Sequence, residues 1–397
     1  MPEVAEVSHV CALLRRNIIG FKMDRLGLLN DPLLFPMLKN NPNAENDLED
    51  LKGTLLNSTV SSVGRHGKHF WLRLKLANSQ PGVLLMHFGM TGMIKIRDVN
   101  SHLVFMENGG DKKILEQKAK EDSKDFKSAE TVVEEVKESE EWPPRFVKFD
   151  IDFVKGDKKL ELAFVDPRRL GRVRFLTGSE VETDEGLMNQ KPLETLGPDY
   201  SKRGDEEEYV KKENSDEEFV YGDPDPHHHG RPRLSLDAFN KLVLSKKKPI
   251  KSLLQEQEYF SGIGNWVSDE IVYNARIHPA EVLSAKLPPY ESGNVDPIIA
   301  RLYESIIYIC EESVKIEGDV TKFPENWLML YRWGKRRKNG PKPKTKEGYE
   351  VEYLTVGGRT SCFAPDLQKM LPKPTILKEE EKDTNGKGSQ RKKRKLD

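Results

Sequence analysis

The spacing of apolar residues changes along the chain, and this change constrains the fold more than any other feature of the sequence. Between residues 54 and 176, apolar side chains recur at alternate positions in short runs separated by glycine and proline. Such runs are typical of β-strands and, in series, of a β-sandwich or barrel. The predicted strands cover residues 58–63, 69–76, 83–88, 93–97, 146–153, 160–166 and 172–176.

Helical spacing is found on both sides of the strand-rich region. A first helix over residues 5–18 is predicted by Val4, Val7, Val10, Cys11 and Leu14, which recur three or four positions apart. Beyond residue 234, Ser235 is a candidate capping residue. Further helices are predicted over residues 249–257, 266–276, 295–315 and 325–333, followed by a hairpin of residues 349–356 and 360–363. The pattern therefore predicts an α+β fold.

The net charge of −1 averages over segments of opposite character. Residues 111–141 carry 11 acidic and 7 basic side chains, and residues 201–220 carry 8 and 4. The rest of the chain has a net charge of +7 and contains basic runs at 246–248 and 335–338. This distribution is compatible with a polyanionic partner and two solvated acidic insertions.

The three cysteines, Cys11, Cys310 and Cys362, form no Cys-x-x-Cys pair. Their small odd number indicates a reducing compartment without a disulfide framework and excludes a four-cysteine zinc site. His227-His228-His229 lies in a polar stretch and is interpreted as a loop. We find no segment typical of a signal peptide, and no apolar run approaches the ~20 residues of a membrane span.

The start of the chain, Met1-Pro2-Glu3, offers a nucleophile. Removal of Met1 leaves Pro2 as a secondary amine, and N-terminal amines titrate at about 7.7–8.0. Attack of such an amine on a sugar C1′ gives an iminium ion that accepts electrons. Glu3 supplies a carboxylate next to it for proton transfer. Because many chains begin with Met-Pro, the other motifs decide whether this start is functional.

A glycine-rich turn, Ser261-Gly262-Ile263-Gly264-Asn265, opens one of the predicted helices. Glycines let backbone amides approach an anion, and a helix N-terminus attracts a phosphate. Asn265 adds a side-chain donor, and Lys251 lies one helix earlier in the basic part of the chain. The turn therefore predicts a phosphate contact, with ordinary packing between helices as the alternative.

Five motifs, taken in order, resemble the formamidopyrimidine-DNA glycosylase family, including its plant and fungal relatives. They are Pro2-Glu3-Val4-Ala5-Glu6-Val7, Arg65-His66-Gly67-Lys68-His69, His87-Phe88-Gly89-Met90-Thr91-Gly92, Asp166-Pro167-Arg168-Arg169-Leu170-Gly171 and the glycine-rich turn. The resemblance implies an N-terminal β-sandwich flanked by helices, then a helix–two-turn–helix domain containing Gly264 and Asn265, and a small finger.

The resemblance also implies a bifunctional repair enzyme that acts on oxidised purines such as 8-oxoguanine and formamidopyrimidines. Pro2 is then the nucleophile, Glu3 the proton shuttle, and Glu6 a residue that orients the pocket. Lys68 is implied to hold the phosphate beside the reacting sugar. The base leaves first, and β- and δ-elimination follow. The implied partner is double-stranded DNA carrying an oxidised base or an abasic (AP) site, bound by a monomer.

Two loops are implied to probe the duplex. Met90 fills the space of the flipped base, as apolar wedge residues do, and Arg168 hydrogen-bonds the orphaned base. The third wedge residue is usually Phe in the family and is Leu170 here. Without the resemblance, Met90 is interpreted as a core residue and Arg168 as a partner of Asp166.

The C-terminal hairpin resembles a zinc finger without its ligands. Of the ligand-like positions only Cys362 remains, as in the zincless finger of plant relatives, so neither zinc nor another cofactor is expected. Arg359 is the candidate phosphate contact at this hairpin.

The expected domains are a catalytic domain at 2–199 with a charged insertion at about 108–144, a polar linker at 200–232, the helical domain at 233–334, the finger at 335–370 and a basic tail at 371–397. Arg391–Lys395 within the tail is a candidate nuclear signal. Two alternatives stay open for the function. One is a related, endonuclease VIII-like enzyme for oxidised pyrimidines, and the other is a non-catalytic protein that binds damaged DNA or AP sites.

Overall fold

The computed structural model describes residues 2–99, 141–203, 230–336 and 342–372. The acidic insertion between residues 100 and 140, most of the predicted linker, the histidine run and the basic tail with its candidate nuclear signal lie outside the described residues. No helix among the described residues combines the length and the apolar character required to span a membrane.

Alternating apolar residues fold into one antiparallel sheet of eight strands. The strands are β1 Lys22–Leu28, β2 Thr59–His66, β3 His69–Lys75, β4 Pro81–His87, β5 Met93–Ile96, β6 Val147–Lys155, β7 Lys158–Val165 and β8 Arg172–Thr177. Their order across the sheet is β5-β7-β6-β1-β2-β3-β4-β8. The seven strands predicted from the alternation are confirmed, and β1 is an addition.

The two halves of this sheet pack against each other. Phe88 follows β4, the seventh strand across the sheet, and Phe164 lies in β7, the second. Their ring centroids are nevertheless 5.7 Å apart and the rings are stacked. Side chains from both edge strands, Ile94 of β5 and Val173 of β8, enter the same buried core. The sheet therefore curls over itself into a sandwich-like arrangement around one core.

The helices are α1 Val4–Ile18, α2 Ala44–Leu55, α3 Asp184–Met188, α4 Leu236–Ser245, α5 Ile250–Leu254, α6 Asn265–Asn274 and α7 Pro297–Lys315. Short 3-10 helices occur at Pro36–Leu38, Ser179–Val181, Leu193–Thr195, Leu283–Ala285, Val320–Lys322 and Leu328–Arg336. The predicted cap is confirmed, because Ser235 Oγ accepts the Ala238 amide at 3.4 Å. The segment predicted as helix over 325–333 is a 3-10 helix.

Helix α1 joins two hydrophobic cores. Val7 and Leu14 pack into the core of the sheet, whereas Val4 and Ala5 pack into the core formed by α4–α7. Its C-terminal half is tied to the turn after α7 by a bidentate ion pair between Arg16 and Glu317 at 2.6 and 2.7 Å. The N-terminal residues are therefore held at the junction of the strand-rich and helical parts.

The last described element is a hairpin of β9 Glu352–Val356 and β10 Arg359–Phe363. Gly357 and Gly358 form its turn with φ of +57° and +76°, a conformation that glycine adopts without strain. Cys362 and Val351 pack with Tyr273 of α6 in a small apolar cluster. This packing fixes the hairpin against the helical part. The α+β fold predicted from the sequence is confirmed.

Candidate active site

Glu3 links the N-terminus of the chain to the glycine-rich turn. Its carboxylate is buried and accepts the backbone amides of Trp266 and Val267, both at 3.1 Å. These amides belong to the first turn of α6, where the helix dipole favours a negative charge. The preceding residue, Pro2, is itself buried. The amino-terminal residues are thereby fixed beside the start of α6.

This contact changes the interpretation of the glycine-rich turn. The sequence predicts that its helix N-terminus binds a phosphate, but the amides of Trp266 and Val267 already bind Glu3. A Cβ at Gly264 would overlap the Glu3 carboxylate, so the absence of a side chain at Gly264 admits Glu3 to the helix end. Asn265 is half-buried at the first position of α6, and its predicted contact with DNA stays a prediction.

A second glycine turn meets the first. Gly67 lies between β2 and β3 with a φ of +58°, and its Cα is 3.1 Å from the position of a Cβ built on Gly262. The carbonyl of Gly262 accepts the amide of Val4 at 3.0 Å. The two turns therefore bring Lys68, which follows Gly67, to the same place as Glu3.

A buried ion pair holds the turn that carries Lys68. Arg65 donates to Asp199 at 2.7 Å, and the same carboxylate oxygen accepts the Gly67 amide at 2.8 Å. Both side chains of the pair are fully buried. Burial alone raises the pKa of Asp199, but the adjacent Arg65 holds that pKa below its usual value. Asp199 therefore stays charged and fixes the turn between β2 and β3.

Lys68 is a buried amine close to charged groups of both signs. Only 8% of the residue is exposed, and among the described residues no carboxylate lies within ion-pairing distance of its Nζ. Burial lowers the pKa of Lys68 to about 8, while Glu3 raises it and Arg359 lowers it further. An ammonium that lacks a fixed partner at this position is suited to a phosphate that arrives with a ligand.

We expect the affinity for duplex DNA to fall above pH 8 because of Lys68. The group is charged below its pKa, so its contribution is full at pH 7 and is lost as the pH rises through about 8. Kd for a duplex with a tetrahydrofuran AP-site analogue should rise about tenfold between pH 7 and 9. Fluorescence anisotropy at constant ionic strength measures this Kd at each pH.

The matched control for this pH dependence is Lys68→Arg, since arginine stays protonated throughout the range. The other ionisable groups of the site are the same in both proteins, so the difference between the two pH profiles reports on residue 68. Parallel profiles would contradict the assigned role.

Glu6 lies one helical turn after Glu3. Its carboxylate accepts the Glu3 amide at 2.8 Å and the Trp266 indole Nε1–H at 3.0 Å. Burial and the nearby charge of Glu3 raise the pKa of Glu6 to about 7. Glu6 therefore fixes the backbone of Glu3 and can hold a proton near neutral pH, in keeping with its predicted orienting role.

The two loops predicted to probe DNA are held together by Asp166. Its buried carboxylate accepts the Thr91 hydroxyl and the amides of Leu170 and Gly171, all at 2.7 Å, and the Arg168 amide at 3.1 Å. The guanidinium that forms an ion pair is that of Arg169, which binds Asp31 at 2.9 Å. The interpretation of Arg168 as a partner of Asp166 through its guanidinium is therefore wrong.

The side chains at the tips of these loops face solvent. Met90 is 39% exposed, Leu170 is 36% exposed, and Arg168 is also exposed. A Cβ at Gly89 would overlap the backbone of Leu170, so the loops touch. The interpretation of Met90 as a core residue is wrong. We call the exposed set of Met90, Arg168 and Leu170 the wedge.

The wedge and the buried Lys68 lie at the same end of one hairpin. His69 of β3 pairs with His87 of β4, and their ring centroids are 4.7 Å apart. Lys68 precedes His69, and the Met90 loop follows His87. The charge of Lys68 contributes, after burial, to lowering the pKa of His87 to about 4. The hairpin of β3 and β4 therefore connects the amine pocket to the wedge.

Arg359 and Lys251, both predicted to contact DNA, differ in their exposure to solvent. Arg359 is exposed at the start of β10 and acts electrostatically on Lys68. Lys251 is fully buried, pairs with Asp269 at 2.6 Å and donates to the carbonyl of Thr360 at 3.1 Å. The predicted contact of Lys251 with DNA stays a prediction, although its amine is already paired inside the protein. Lys251 holds the hairpin that presents Arg359.

Three residues that shape the site were not predicted from the sequence: Asp199, which fixes the turn before Lys68, His87 beside Lys68, and Asp166 as the organiser of the wedge. Asp166 and His87 lie within the quoted motifs, so their motif positions were an available signal. Asp199 follows Gly197-Pro198 and carries no pattern that distinguishes it from a turn residue. Within the described residues, no group of three His, Cys, Asp or Glu side chains is placed to bind a metal ion.

Two protein-family models match the chain. The formamidopyrimidine-DNA glycosylase N-terminal domain matches residues 1–173, which contain the sheet and the motifs around Pro2, Lys68, Met90 and Arg168. The formamidopyrimidine-DNA glycosylase H2TH domain matches residues 223–325, which contain α4 to α7 and the glycine-rich turn. Both models describe parts of the same family.

Relatives over nearly the whole chain carry the same name. A formamidopyrimidine-DNA glycosylase of Arabidopsis thaliana is 28% identical over 373 residues, covering 94% of this chain and 72% of the relative. A second formamidopyrimidine-DNA glycosylase, from Pelotomaculum thermopropionicum, is 24% identical to this chain, and the match covers 100% of that relative.

Solved structures share the fold. MutM in complex with DNA containing carbocyclic 8-oxo-G has a TM-score of 0.57 at 18% identity, with 93% of this chain and 100% of that chain covered. The Lactococcus lactis enzyme bound to AP-site DNA has a TM-score of 0.55 at 19% identity. The match covers 92% of this chain and 99% of that chain. From the two family models and the full-length relatives, we conclude that the chain belongs to the formamidopyrimidine-DNA glycosylase family.

Proposed function

We propose that this protein is a DNA glycosylase and AP lyase of base-excision repair that acts on oxidised purines. The observation that carries the proposal is the convergence of Pro2-Glu3, Lys68 and the start of α6 at one junction, with an exposed wedge at the end of the hairpin that bears Lys68. Family membership supports glycosylase activity. The related structures contain DNA with 8-oxoguanine or an AP site, which supports damaged DNA as the ligand.

The proposed reaction begins with a nucleotide flipped out of the duplex. The Pro2 nitrogen forms a bond to C1′, the C1′–N bond of the base breaks, and the base leaves with a proton from an acid in the pocket. The Pro2 nitrogen gives up its proton, and the C1′–O4′ bond of the adduct then breaks as O4′ takes up a proton, which opens the sugar ring and leaves an iminium. The iminium acidifies the C2′ proton, so that β-elimination breaks the 3′ C–O bond and δ-elimination breaks the 5′ C–O bond. Glu3, anchored at α6, is the proposed proton carrier, and Lys68 balances the phosphate charge.

The wedge supports the flipping step. Removal of a base from the stack costs a few kcal/mol and leaves a hole in the duplex. Met90 and Leu170 offer exposed apolar surface of the kind that enters such a hole, and Arg168 offers five donors to the orphaned base. Their common attachment to Asp166 keeps them at a fixed spacing.

Borohydride trapping on an AP-site duplex, combined with a cleavage panel, tests the proposal. We expect a covalent adduct and strand cleavage with 8-oxoguanine, formamidopyrimidine and AP-site duplexes. Preference for oxidised pyrimidines would favour the endonuclease VIII-like alternative. Tight binding without adduct or cleavage would identify a non-catalytic damage binder and overturn the proposal.

We propose that the C-terminal hairpin works without zinc. Cys362 is buried in an apolar cluster, and burial raises its pKa well above the usual value, which disfavours the thiolate that zinc requires. The hairpin is anchored instead by Lys251 and by its apolar contacts. Metal analysis of the purified protein should find well under one zinc per chain, and chelators should leave DNA binding unchanged. One equivalent of bound zinc would contradict this.

Leu170→Phe tests the wedge. An aromatic ring stacks on a base better than a branched aliphatic chain, and residue 170 is exposed, so the substitution should cost no stability. We expect cleavage of an AP-site duplex to stay unchanged or to improve up to about fivefold, in line with a stacking gain of ~1 kcal/mol. Single-turnover kinetics measure the effect. A large loss of cleavage would refute the assigned position of Leu170.

A further inference from the structure

An aromatic side chain outside the wedge lies exposed beside it. Phe146 precedes β6 and is 45% exposed. Its φ of +67° lies in the left-handed region, which bulky residues rarely occupy because Cβ approaches the backbone. An aromatic residue at such a position contributes little to the core and strains the backbone. Exposed and strained residues of this kind occur preferentially at functional sites.

The backbone of Phe146 is attached directly to the wedge. Its carbonyl accepts the amide of Asp166 at 3.1 Å. Asp166 in turn binds the Thr91 hydroxyl and the Leu170 amide through its carboxylate. One buried residue therefore fixes Phe146 and both wedge loops, and a duplex that receives the wedge comes close to Phe146.

A positive charge accompanies the ring. The Arg145 guanidinium carbon lies 4.5 Å from the centroid of Phe146. Arg145 is exposed, and in the part of the chain that the structure describes no carboxylate forms an ion pair with it. An aromatic face with an adjacent guanidinium matches a nucleotide, which offers a base or sugar to stack on and a phosphate to pair with.

We propose that Phe146 and Arg145 form an additional nucleotide contact beside the wedge. Phe146 packs its ring against a base or deoxyribose of the duplex next to the position probed by Arg168 and Leu170, and Arg145 pairs with the adjoining phosphate. The inference rests on the proposed function and adds a further DNA-binding contact to it. Met90 and Leu170 offer aliphatic surface only, whereas Phe146 supplies an aromatic face.

Phe146→Gly and Phe146→Asn are the informative variants. Both remove the ring while keeping a residue that tolerates positive φ, so the folded state should keep its melting temperature. We expect Kd for a tetrahydrofuran-containing duplex, measured by anisotropy with the full chain, to rise about tenfold or more. Phe146→Tyr keeps the ring and should bind as the parent does.

Two further variants distinguish a contact of Phe146 and Arg145 with DNA from the effect of removing any exposed aromatic side chain. Tyr308→Ala removes an aromatic of similar exposure on α7 and should leave Kd unchanged. Arg145→Ala should reduce the slope of log K against log salt by about one, as expected for the loss of one phosphate contact.

The inference is overturned if Phe146→Gly and Phe146→Asn both bind within twofold of the parent, which would assign the exposed ring to another partner such as a protein. It is equally overturned if Tyr308→Ala weakens binding to the same extent. Failure of the proposed function is distinguishable, because the parent would then form no borohydride-trapped adduct. A parent that is trapped while the Phe146 variants bind normally refutes this inference alone.

Discussion

Pro2→Gly is expected to lower the rate of covalent adduct formation with an AP-site duplex by about 100-fold, which corresponds to ~2.7 kcal/mol in the barrier. The proline ring fixes φ and aligns the nitrogen lone pair, whereas glycine at the chain terminus is free to rotate. A nucleophile that must be reoriented loses the advantage of being held in place. Single-turnover borohydride trapping measures the rate.

Binding is the control for Pro2→Gly. Glu3, Lys68 and the wedge remain intact, so Kd for the tetrahydrofuran duplex should change by less than about threefold. An unchanged trapping rate would show that another amine is the nucleophile. Lys68 is the first candidate in that case, because burial lowers its pKa to about 8 and leaves part of it neutral at physiological pH.

Glu3→Gln is expected to lower base excision by about 1000-fold, within the range of positioned acid–base catalysis. Glutamine cannot carry the proton, and its NH2 group would face the amide donors of Trp266 or Val267, which Glu3 satisfies with two oxygens. The unpaired donor should also lower the free energy of unfolding by about 2 kcal/mol. Excision of 8-oxoguanine under single-turnover conditions and urea unfolding measure both effects.

Gly264→Ala is the matched variant for Glu3. This substitution keeps the Glu3 carboxylate but displaces it from the helix end, since a Cβ at residue 264 would overlap the Glu3 side chain. Excision should fall while the wedge contacts, and therefore most of the binding energy, persist. Full excision activity in Glu3→Gln would exclude Glu3 as the proton carrier, whatever the effect on stability.

The strands were predictable where apolar residues form a short continuous run or alternate with polar ones. Strand β4 contains a run of buried residues, and β6 alternates buried and half-buried positions. Strand β1 was missed because only Met23 and Leu26 are buried in it, three positions apart, with a register shift after Met23. Helix α2 was missed although Leu48, Leu51 and Leu55 have helical spacing.

The site was predictable from motifs but its internal contacts were not. Lys251 belongs to a basic segment, and only the structure shows that Asp269 on the next long helix neutralises it. The start of α6 was expected to bind a phosphate because the sequence does not reveal that Glu3, more than 260 residues earlier, binds the same amides. Contacts between distant segments depend on the packing of α1 between two cores.

The central claim concerns the atom that bonds to the sugar. Mass spectrometry of the borohydride-trapped complex after proteolysis identifies the residue that carries the nucleotide. The same measurement identifies the N-terminal residue of the mature protein. We predict that Met1 is absent and that the nucleotide fragment is attached to the nitrogen of Pro2. An adduct on another residue, or full cleavage activity in a protein that retains Met1 or carries an N-terminal acetyl group, would contradict the account.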